Sequence, residues 1–142
     1  MIVQVDSTMR YKDDGTKLCA ISIFLPQVYQ KCMKKLSGEH SNNFAEVAAI
    51  LDALTMLVDS ATTGEIILET DSQVAWGWIV KNWQIHNTTL EIEKLSEMIG
   101  RCKELLSRND RIKLKRIDRR KNMSDLSKVS IEDLEKLEAL YV

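Results

Sequence analysis

The sequence lacks the cysteine pattern of a disulfide-stabilised or a zinc-binding protein. Its three cysteines, Cys19, Cys32 and Cys102, are odd in number and widely spaced, and no Cys-x-x-Cys pair occurs. Paired cysteines form the framework of small secreted domains, and closely spaced pairs supply thiolates to structural zinc. We therefore expect free thiols and neither kind of site.

Long apolar runs and targeting signals are also missing. No run approaches the ~18 apolar residues of a membrane span, and the chain opens into Ile2, Val3 and Val5 without the basic start and cleavage site of a secretory signal. Of the 142 residues, 44% are apolar and 29% charged, which is typical of a soluble globular protein. We expect a cytoplasmic monomer with no membrane partner, and one domain over residues 1–142.

An excess of charge of one sign is absent, because the formal net charge is −1. Averaged charge alone argues against a nucleic-acid partner, but it hides how charge is distributed. Between residues 108 and 121, here called the basic segment, eight basic residues outweigh two acidic ones, a local balance of +6. The eight are Arg108, Arg111, Lys113, Lys115, Arg116, Arg119, Arg120 and Lys121. This segment either attracts phosphates or is simply a solvated edge strand.

Strand-like segments dominate the first 33 residues. Residues 2–8 are β-branched and apolar, residues 13–15 (Asp-Asp-Gly) favour a turn, and residues 18–25 form a second apolar stretch that Pro26 ends. Residues 27–33 alternate weakly as a third strand, and a polar cluster at residues 37–42 follows. The pattern predicts an antiparallel meander.

Helices and strands alternate in the rest of the chain. Apolar residues recur at three- and four-residue steps from Phe44 to Val58, which predicts a helix. After a Thr62-Thr63-Gly64 turn we predict a strand at 65–70, helices at 74–83 and 90–106, a lysine-guarded edge strand at 111–118 and a terminal helix at 130–141. The order predicts an α/β fold with a mixed five-stranded sheet, in which parallel strands follow a three-strand antiparallel meander and helices flank the sheet.

Acidic residues fall at the junctions between these elements, and each has a structural interpretation beside a catalytic one. Asp6 interrupts a strand, where carboxylates are rare, and could simply end it. Glu46 follows Asn43 by three residues, which is the spacing of a capping box. Asp71 stands where a helix N-cap would lie. Asp125, in a Ser- and Lys-rich segment, carries no signal by itself.

Two longer segments point to a common role for these acids. Residues 41–54 (SNNFAEVAAILDAL) and 66–79 (IILETDSQVAWGWI) closely resemble two signature segments of the ribonuclease H family. In that family an Asn-Asn-x-Ala-Glu helix start and a Thr-Asp-Ser-Gln strand end each present one acid to metal ions, matching Glu46 and Asp71. An acid in the first strand matches Asp6, and a last acid after the fifth strand matches Asp125. The resemblance spans nearly the whole chain and implies the ribonuclease H-like fold.

This resemblance implies a metal-dependent endonuclease that hydrolyses the RNA strand of RNA-DNA hybrids by a two-metal-ion mechanism. The catalytic residues and metal ligands would be Asp6, Glu46, Asp71 and Asp125. Two divalent ions about 3.5–4 Å apart need hard oxygen ligands, and four gathered carboxylates would otherwise repel one another. We expect Mg²⁺, with Mn²⁺ able to substitute.

The same resemblance implies which residues bind the hybrid. Asn42 and Gln73 are expected to contact the RNA strand in the minor groove, where the 2′-hydroxyl distinguishes RNA from DNA. Ser41 and Asn43 are expected near the DNA backbone, although helix capping is an alternative role for Ser41, Asn42 and Asn43. The basic segment would add an attraction to phosphates that weakens with salt.

The region after the fifth strand departs from the family pattern. Many relatives carry a histidine there, and this sequence offers Arg119 or Arg120 for that position. By the same resemblance, both arginines are expected to bind the substrate. Relatives usually separate an Asn from the last Asp by three residues, but only two lie between Asn122 and Asp125. Asp118 is therefore an alternative fourth acid.

These departures leave a second function open, a catalytically impaired ribonuclease H-like module for nucleic-acid binding or assembly. A nuclease acting on structured DNA is a third, which the Asn-Asn and Asp-Ser-Gln matches disfavour. The clustered Trp76, Trp78 and Trp83 are interpreted as core or partly buried surface rather than as a base-stacking platform.

Overall fold

This computed structural model describes residues 1–60, 64–86 and 91–142. The predicted turn residues Thr62 and Thr63 and the predicted helix start at Leu90 lie outside these ranges. In chain order the elements are β1 (Ile2–Tyr11), β2 (Lys17–Leu25), β3 (Gln30–Leu36), α1 (Asn42–Val58), β4 (Ile66–Thr70), α2 (Gln73–Val80), α3 (Ile92–Arg108), β5 (Ile112–Arg116), α4 (Ile131–Glu135) and β6 (Ala139–Leu140). No helix within these ranges is long and apolar enough to cross a membrane.

The strands form one mixed sheet in the order β5-β4-β1-β2-β3-β6. The meander β1-β2-β3 is antiparallel, whereas β4, β5 and β6 each pair in parallel with their neighbours. The predicted meander and parallel strands are thus confirmed. On β5, at the sheet edge, Ile112 is buried while Lys113 and Lys115 are exposed, as the alternating pattern predicts.

The strand count differs from the prediction, because the described residues form six strands rather than five. The terminal helix predicted over residues 130–141 ends at Glu135, and Ala139 and Leu140 pair with β3 instead. The outer edge of β3 explains the difference. Its Lys35 N–H donates to the Glu138 carbonyl oxygen at 3.0 Å, and the Ser37 N–H donates to Leu140 at 2.9 Å. Pairing satisfies backbone groups that an edge strand otherwise leaves open.

Two other boundaries lie away from their predicted positions because the backbone turns. The third strand begins at Gln30 rather than at residue 27, since the chain reverses through Tyr29 with a φ of 51°. The second helix ends at Val80 rather than at residue 83, since Asn82 adopts a φ of 56° and the Trp83 N–H returns to the Gly77 carbonyl oxygen at 3.1 Å. Trp83 therefore folds back onto α2.

The sheet is covered on both faces. The main apolar cluster joins β1, β2 and β4 to α1, α2 and α3, and its largest fully buried side chains include Phe44, Ile50 and Leu54. A second cluster of Leu18, Ala20, Leu126 and Leu134 connects β2 to the chain after β5. Since β2 contributes to both clusters, its side chains are buried on both faces, as expected for an inner strand of a sheet that is covered on both sides.

Glycine at position 77 is a packing requirement. A Cβ built there would lie 1.8 Å from a ring carbon of Trp83, whereas a Cβ at Gly100 on α3 would meet nothing within 4 Å. Both glycines lie inside helices, where alanine is otherwise preferred by about 1 kcal/mol.

We predict that Gly77→Ala lowers the free energy of unfolding by about 1–3 kcal/mol, the usual cost of overpacking. Its matched control Gly100→Ala should leave stability unchanged or raise it by up to about 1 kcal/mol. Urea unfolding of both variants measures the difference. Equal stabilities would mean that Trp83 does not pack on α2 in this way.

Candidate active site

Three acidic side chains from three elements converge at one end of the sheet. Asp6 lies within β1, Asp71 directly follows β4, and Glu46 lies on α1, which packs against β1. In the parallel register Val5 pairs with Thr70. Each of these residues is followed by an acid, Asp6 after Val5 and Asp71 after Thr70. One carboxylate oxygen from each of the three acids lies within 4.8 Å of the others. Residues 40 and 25 positions apart in the chain thus form one acidic cluster.

Neither Glu46 nor Asp71 is used as a helix cap. The N-cap of α1 is Ser41, whose hydroxyl accepts the Phe44 N–H at 3.2 Å. The capping box that the sequence allows for Asn43 and Glu46 is therefore wrong, because the helix begins earlier and Phe44 occupies its third position. The N-cap of α2 is Ser72, which accepts the Ala75 N–H at 3.1 Å. Serine caps leave both carboxylates free to face the cluster.

Burial and mutual repulsion make ionisation of this cluster unfavourable. Glu46 is only 5% exposed, and its Oε2 has no hydrogen-bond partner. Burial, followed by the charge of Asp6, raises the pKa of Glu46 to about 8. Burial, followed by the charge of Asp71, raises the pKa of Asp6 to about 6. A bound divalent cation would reverse this effect by compensating the three charges.

The fourth predicted acid, Asp125, lies at the rim of the same cleft. The cleft has a volume of about 450 Å³, and its lining includes Asp6, Glu46, Asp71, Arg119 and Asp125. The carboxylate of Asp125 accepts the Ser127 N–H at 2.9 Å and the Ser127 hydroxyl at 2.8 Å. The backbone hydrogen bond is the main reason that the pKa of Asp125 is lowered. Asp125 is thus close to the cluster but already has partners.

The alternative acid, Asp118, points elsewhere. It is exposed, pairs with Arg120 at 3.0 Å and is not among the residues that line the cleft. The Arg120 side chain is the main reason that the pKa of Asp118 is lowered to about 2. Arg119 and Asp125 therefore lie in the cleft, whereas Arg120 and Asp118 form an ion pair outside its lining.

Comparison with known proteins agrees with this geometry. A family model described as reverse transcriptase-like matches residues 25–124, and the fold superimposes on ribonuclease H1 from the archaeon Halobacterium salinarum with a TM-score of 0.59. This chain belongs to the ribonuclease H family. The archaeal enzyme is 19% identical over 84% of this chain and 88% of its own. No curated protein sequence matches this chain significantly.

Two further ribonuclease H structures have the same fold. LC11 ribonuclease H1, solved in complex with an RNA/DNA hybrid, has a TM-score of 0.61 and 19% identity over 86% of this chain and 88% of its own. The N-terminal ribonuclease H domain of a Mycobacterium tuberculosis protein has a TM-score of 0.60 and 17% identity over 85% of each chain. At these identities the superpositions establish the fold, and the family assignment rests on the matched sequence model.

Asn122 is a residue of this candidate site whose role the sequence did not reveal. It is 5% exposed, and its Nδ2 donates to Asp71 Oδ2 at 3.0 Å and to the Val5 carbonyl oxygen at 2.8 Å. Its Oδ1 accepts the Ser124 N–H at 3.0 Å. Asn122 therefore fixes one oxygen of Asp71 and ties the following loop to β1. The sequence did contain one signal for it, because relatives carry an Asn shortly before the last acid.

The predicted substrate residues lie at the helix starts around the cleft. Asn42, Asn43 and Gln73 all line it, and Asn42 Oδ1 accepts from the Ser7 hydroxyl at 3.4 Å. Ser41 caps α1 and lines a neighbouring groove of about 680 Å³. Capping is thus a role of Ser41, while Asn42 and Asn43 are the first helical residues.

The three tryptophans differ in burial. Trp78 is 7% exposed, and it lines the groove next to the cleft together with Trp83, which is 44% exposed. Trp76 is half-buried and meets Trp83 edge-on, with ring centroids 6.2 Å apart. The mixture of core and partly buried surface agrees with the prediction.

The acidic cluster fits a divalent cation of the Mg²⁺ type. Its three donors are carboxylate oxygens, which hard cations prefer, and oxygens around one octahedral Mg²⁺ at about 2.1 Å lie about 3–4 Å apart. The buried Oε2 of Glu46, which has no partner, is a further sign, because buried polar atoms normally have one. Asp6, Glu46 and Asp71 would hold the ion, with Asp125 at the rim.

The raised pKa values predict an unusual pH dependence for the metal-free protein. Because the folded pKa of Glu46 (about 8) exceeds the ordinary value of 4.5, the folded state binds this proton more tightly than the unfolded state does. The contribution of Glu46 to stability should therefore be greatest at or below pH 4.5 and be lost as the pH rises towards 8. Glu46→Gln cannot titrate, so its stability relative to the wild type should rise across this window.

Urea unfolding in chelator across this pH range measures the effect. The exposed acid Glu93 offers a control, since Glu93→Gln should follow the wild-type curve. Saturating Mg²⁺ should flatten the wild-type decline, because a ligand of the folded state stabilises it. Parallel wild-type and Glu46→Gln curves in chelator would contradict the assigned environment of Glu46.

Proposed function

We propose that this protein is a metal-dependent endonuclease that hydrolyses the RNA strand of RNA-DNA hybrids by a two-metal-ion mechanism. The observation that carries the proposal is the convergence of Asp6, Glu46 and Asp71, two of them buried, on a ribonuclease H fold. A structural role does not account for this arrangement, because burying acids without a counter-charge destabilises the fold.

Bound Mg²⁺ would activate a water nucleophile and stabilise the charge on the leaving oxygen. Asp6, Glu46 and Asp71 are the ligands that the chain offers for one ion, and Asp125 lies at the same cleft for a second. Asn122 keeps Asp71 oriented, since its amide occupies one carboxylate oxygen and leaves the other free. The Leu126 N–H does the same for Asp6, donating to its Oδ2 at 3.2 Å.

The substrate class is supported by the cleft and by a relative. LC11 ribonuclease H1 was solved with an RNA/DNA hybrid, and the amides of Asn42, Asn43 and Gln73 line the cleft beside the acidic cluster of this chain. Amides can both donate to and accept from a 2′-hydroxyl, which distinguishes RNA from DNA. Arg119 adds a positive charge in the same cleft for phosphate oxygens.

We predict that Asp71→Asn abolishes hybrid cleavage and leaves the fold intact, because the amide keeps the size of the side chain but not the charge that binds metal. The assay compares a labelled RNA-DNA hybrid, duplex RNA and duplex DNA, each with Mg²⁺, Mn²⁺ or chelator. Wild type should cut only the hybrid and only with metal. Normal cleavage by Asp71→Asn would refute the proposal.

A second candidate function, an impaired ribonuclease H-like binding or assembly module, is favoured by one observation. Both oxygens of Asp125 accept hydrogen bonds from Ser127, so this acid is less available to a metal than the other three. Wild-type protein that binds the hybrid tightly but never cuts it would support this candidate.

Paired variants at the two possible fourth acids test the complete site. We predict that Asp125→Asn reduces hybrid cleavage severely across a Mg²⁺ titration. Asp118→Asn should have little effect, because Asp118 pairs with the Arg120 side chain and caps the Arg120 N–H outside the lining of the cleft. The reverse pattern would show that Asp118 completes the site. If neither variant changes the rate, the three converging carboxylates suffice.

A further inference from the structure

A second charged cluster lies at the start of α1, outside the acidic cluster. Glu91, at the start of α3, directs Oε1 to the Ser41 N–H at 2.9 Å and to His40 Nδ1 at 3.3 Å. Ser41 is the N-cap of α1, and the next two residues, Asn42 and Asn43, line the cleft. Glu91 therefore contacts the backbone that sets the position of these two amides.

Glu91 substitutes for a missing part of the α1 cap. In a capping box, a glutamate at the third helical position accepts the N-cap N–H, but that position is occupied by Phe44. Glu91 accepts this N–H from another helix, 50 residues away in the chain. The start of α1 is thus tied to α3 through one carboxylate oxygen.

The surroundings of the two ring nitrogens indicate which protonation state of His40 makes its contact with Glu91 favourable. Nε2 lies 2.7 Å from the Ser37 carbonyl oxygen, and because a carbonyl only accepts, Nε2 carries a proton. A neutral ring would then direct the lone pair of Nδ1 at the Glu91 carboxylate. Within the described ranges Nδ1 itself has no hydrogen-bond partner, and its 3.3 Å contact with Glu91 Oε1 is an electrostatic attraction only when the ring is the imidazolium.

The His40–Glu91 pair is partly buried, which strengthens the attraction between its charges. The side chains of His40 and Glu91 are 16% and 18% exposed, and the imidazole stacks on Phe44 with ring centroids 4.0 Å apart. The start of α3 also favours a carboxylate through the helix dipole. The pair is less screened by water than the surface ion pairs are.

Among the residues that the structure describes, few other titratable groups face this ring. From β2, the Cys19 thiol donates to the His40 carbonyl oxygen at 3.1 Å, and burial raises the pKa of this thiol. The neighbouring Glu39 accepts the Lys17 backbone N–H at 2.7 Å. From α1 the ring meets the apolar Phe44. Among these groups, Glu91 is the charged one that His40 contacts directly.

We propose that the His40 imidazolium and the Glu91 carboxylate are positioning residues that hold the start of α1 in the geometry that binds the hybrid. Removing either charge would lose this attraction and loosen the Asn42-Asn43 backbone. Hybrid affinity should therefore fall when either residue is replaced, while the three acids of the cluster are unchanged. This inference takes its substrate from the proposed function.

The first test measures KM and kcat on a labelled RNA-DNA hybrid for Glu91→Gln and His40→Gln, with Glu93→Gln as the matched control. Glu93 is an exposed acid in the first turn of the same helix. At pH 6, KM should rise about fivefold to tenfold in both variants, as expected for loss of one partly buried ion-pair contact, with kcat nearly unchanged.

A second test uses the free protein, so it does not depend on cleavage. At pH 6, imidazole ¹⁵N chemical shifts should show protons on both nitrogens of His40, and the Ser41 amide should exchange slowly with solvent. Glu91→Ala should abolish this protection, while Glu93→Gln should preserve it. Direct titration with labelled hybrid in Ca²⁺ gives the dissociation constant without turnover.

The outcomes separate the two proposals. A neutral His40 beside Glu91 at pH 6, or a lower kcat with unchanged KM in the variants, would overturn the positioning role. If the wild type binds the hybrid and the two variants bind it more weakly, but none of them cuts it, the nuclease proposal fails and the positioning role stands. If it neither binds nor cuts the hybrid, both fail, whatever the charge of His40.

Discussion

The parallel pairing of β1 with β4 is the constraint on which the site depends. Its register sets Val5 opposite Thr70, so that Asp6 and Asp71 follow one another across adjacent strands. A shift of one residue would turn one of these side chains to the other face of the sheet. The packing of α1 on β1 then brings Glu46 to the two acids.

The acidic cluster has an energetic cost that the surrounding structure offsets. Raised pKa values at Asp6 and Glu46 mean that the folded protein resists having these groups charged. Burial of the apolar clusters on both faces of the sheet contributes free energy of folding that offsets this cost. The Asn122 amide and the Leu126 N–H each hold one carboxylate oxygen. The chain after β5 therefore completes the site as well as covering the sheet.

Much of the fold and part of the acidic cluster could be predicted from the sequence, because local patterns specify them. The helix from Phe44 onwards followed from its apolar stripe, the edge strand β5 from its alternating lysines, and the positions of Glu46 and Asp71 from long signature segments. Each of these signals depends on neighbours within a few residues.

Features that depend on distant partners could not be predicted. Ser41 and Asn43 are both good N-cap residues, and the choice between them is fixed by tertiary packing. Strand β6 is only two residues long and forms because β3 offers an open edge. The contact of Glu91 with Ser41 has no local pattern at all, and the hydrogen bonds of Asn122 depend on the path of a loop.

The most direct test of the central claim is crystallography of the protein soaked in Mn²⁺, with anomalous diffraction to locate the ions. The account predicts a Mn²⁺ ion bonded to oxygens of Asp6, Glu46 and Asp71, and loss of this ion in Asp71→Asn. An acidic cluster that stays without metal at millimolar Mn²⁺, or ions bound only elsewhere, would contradict it.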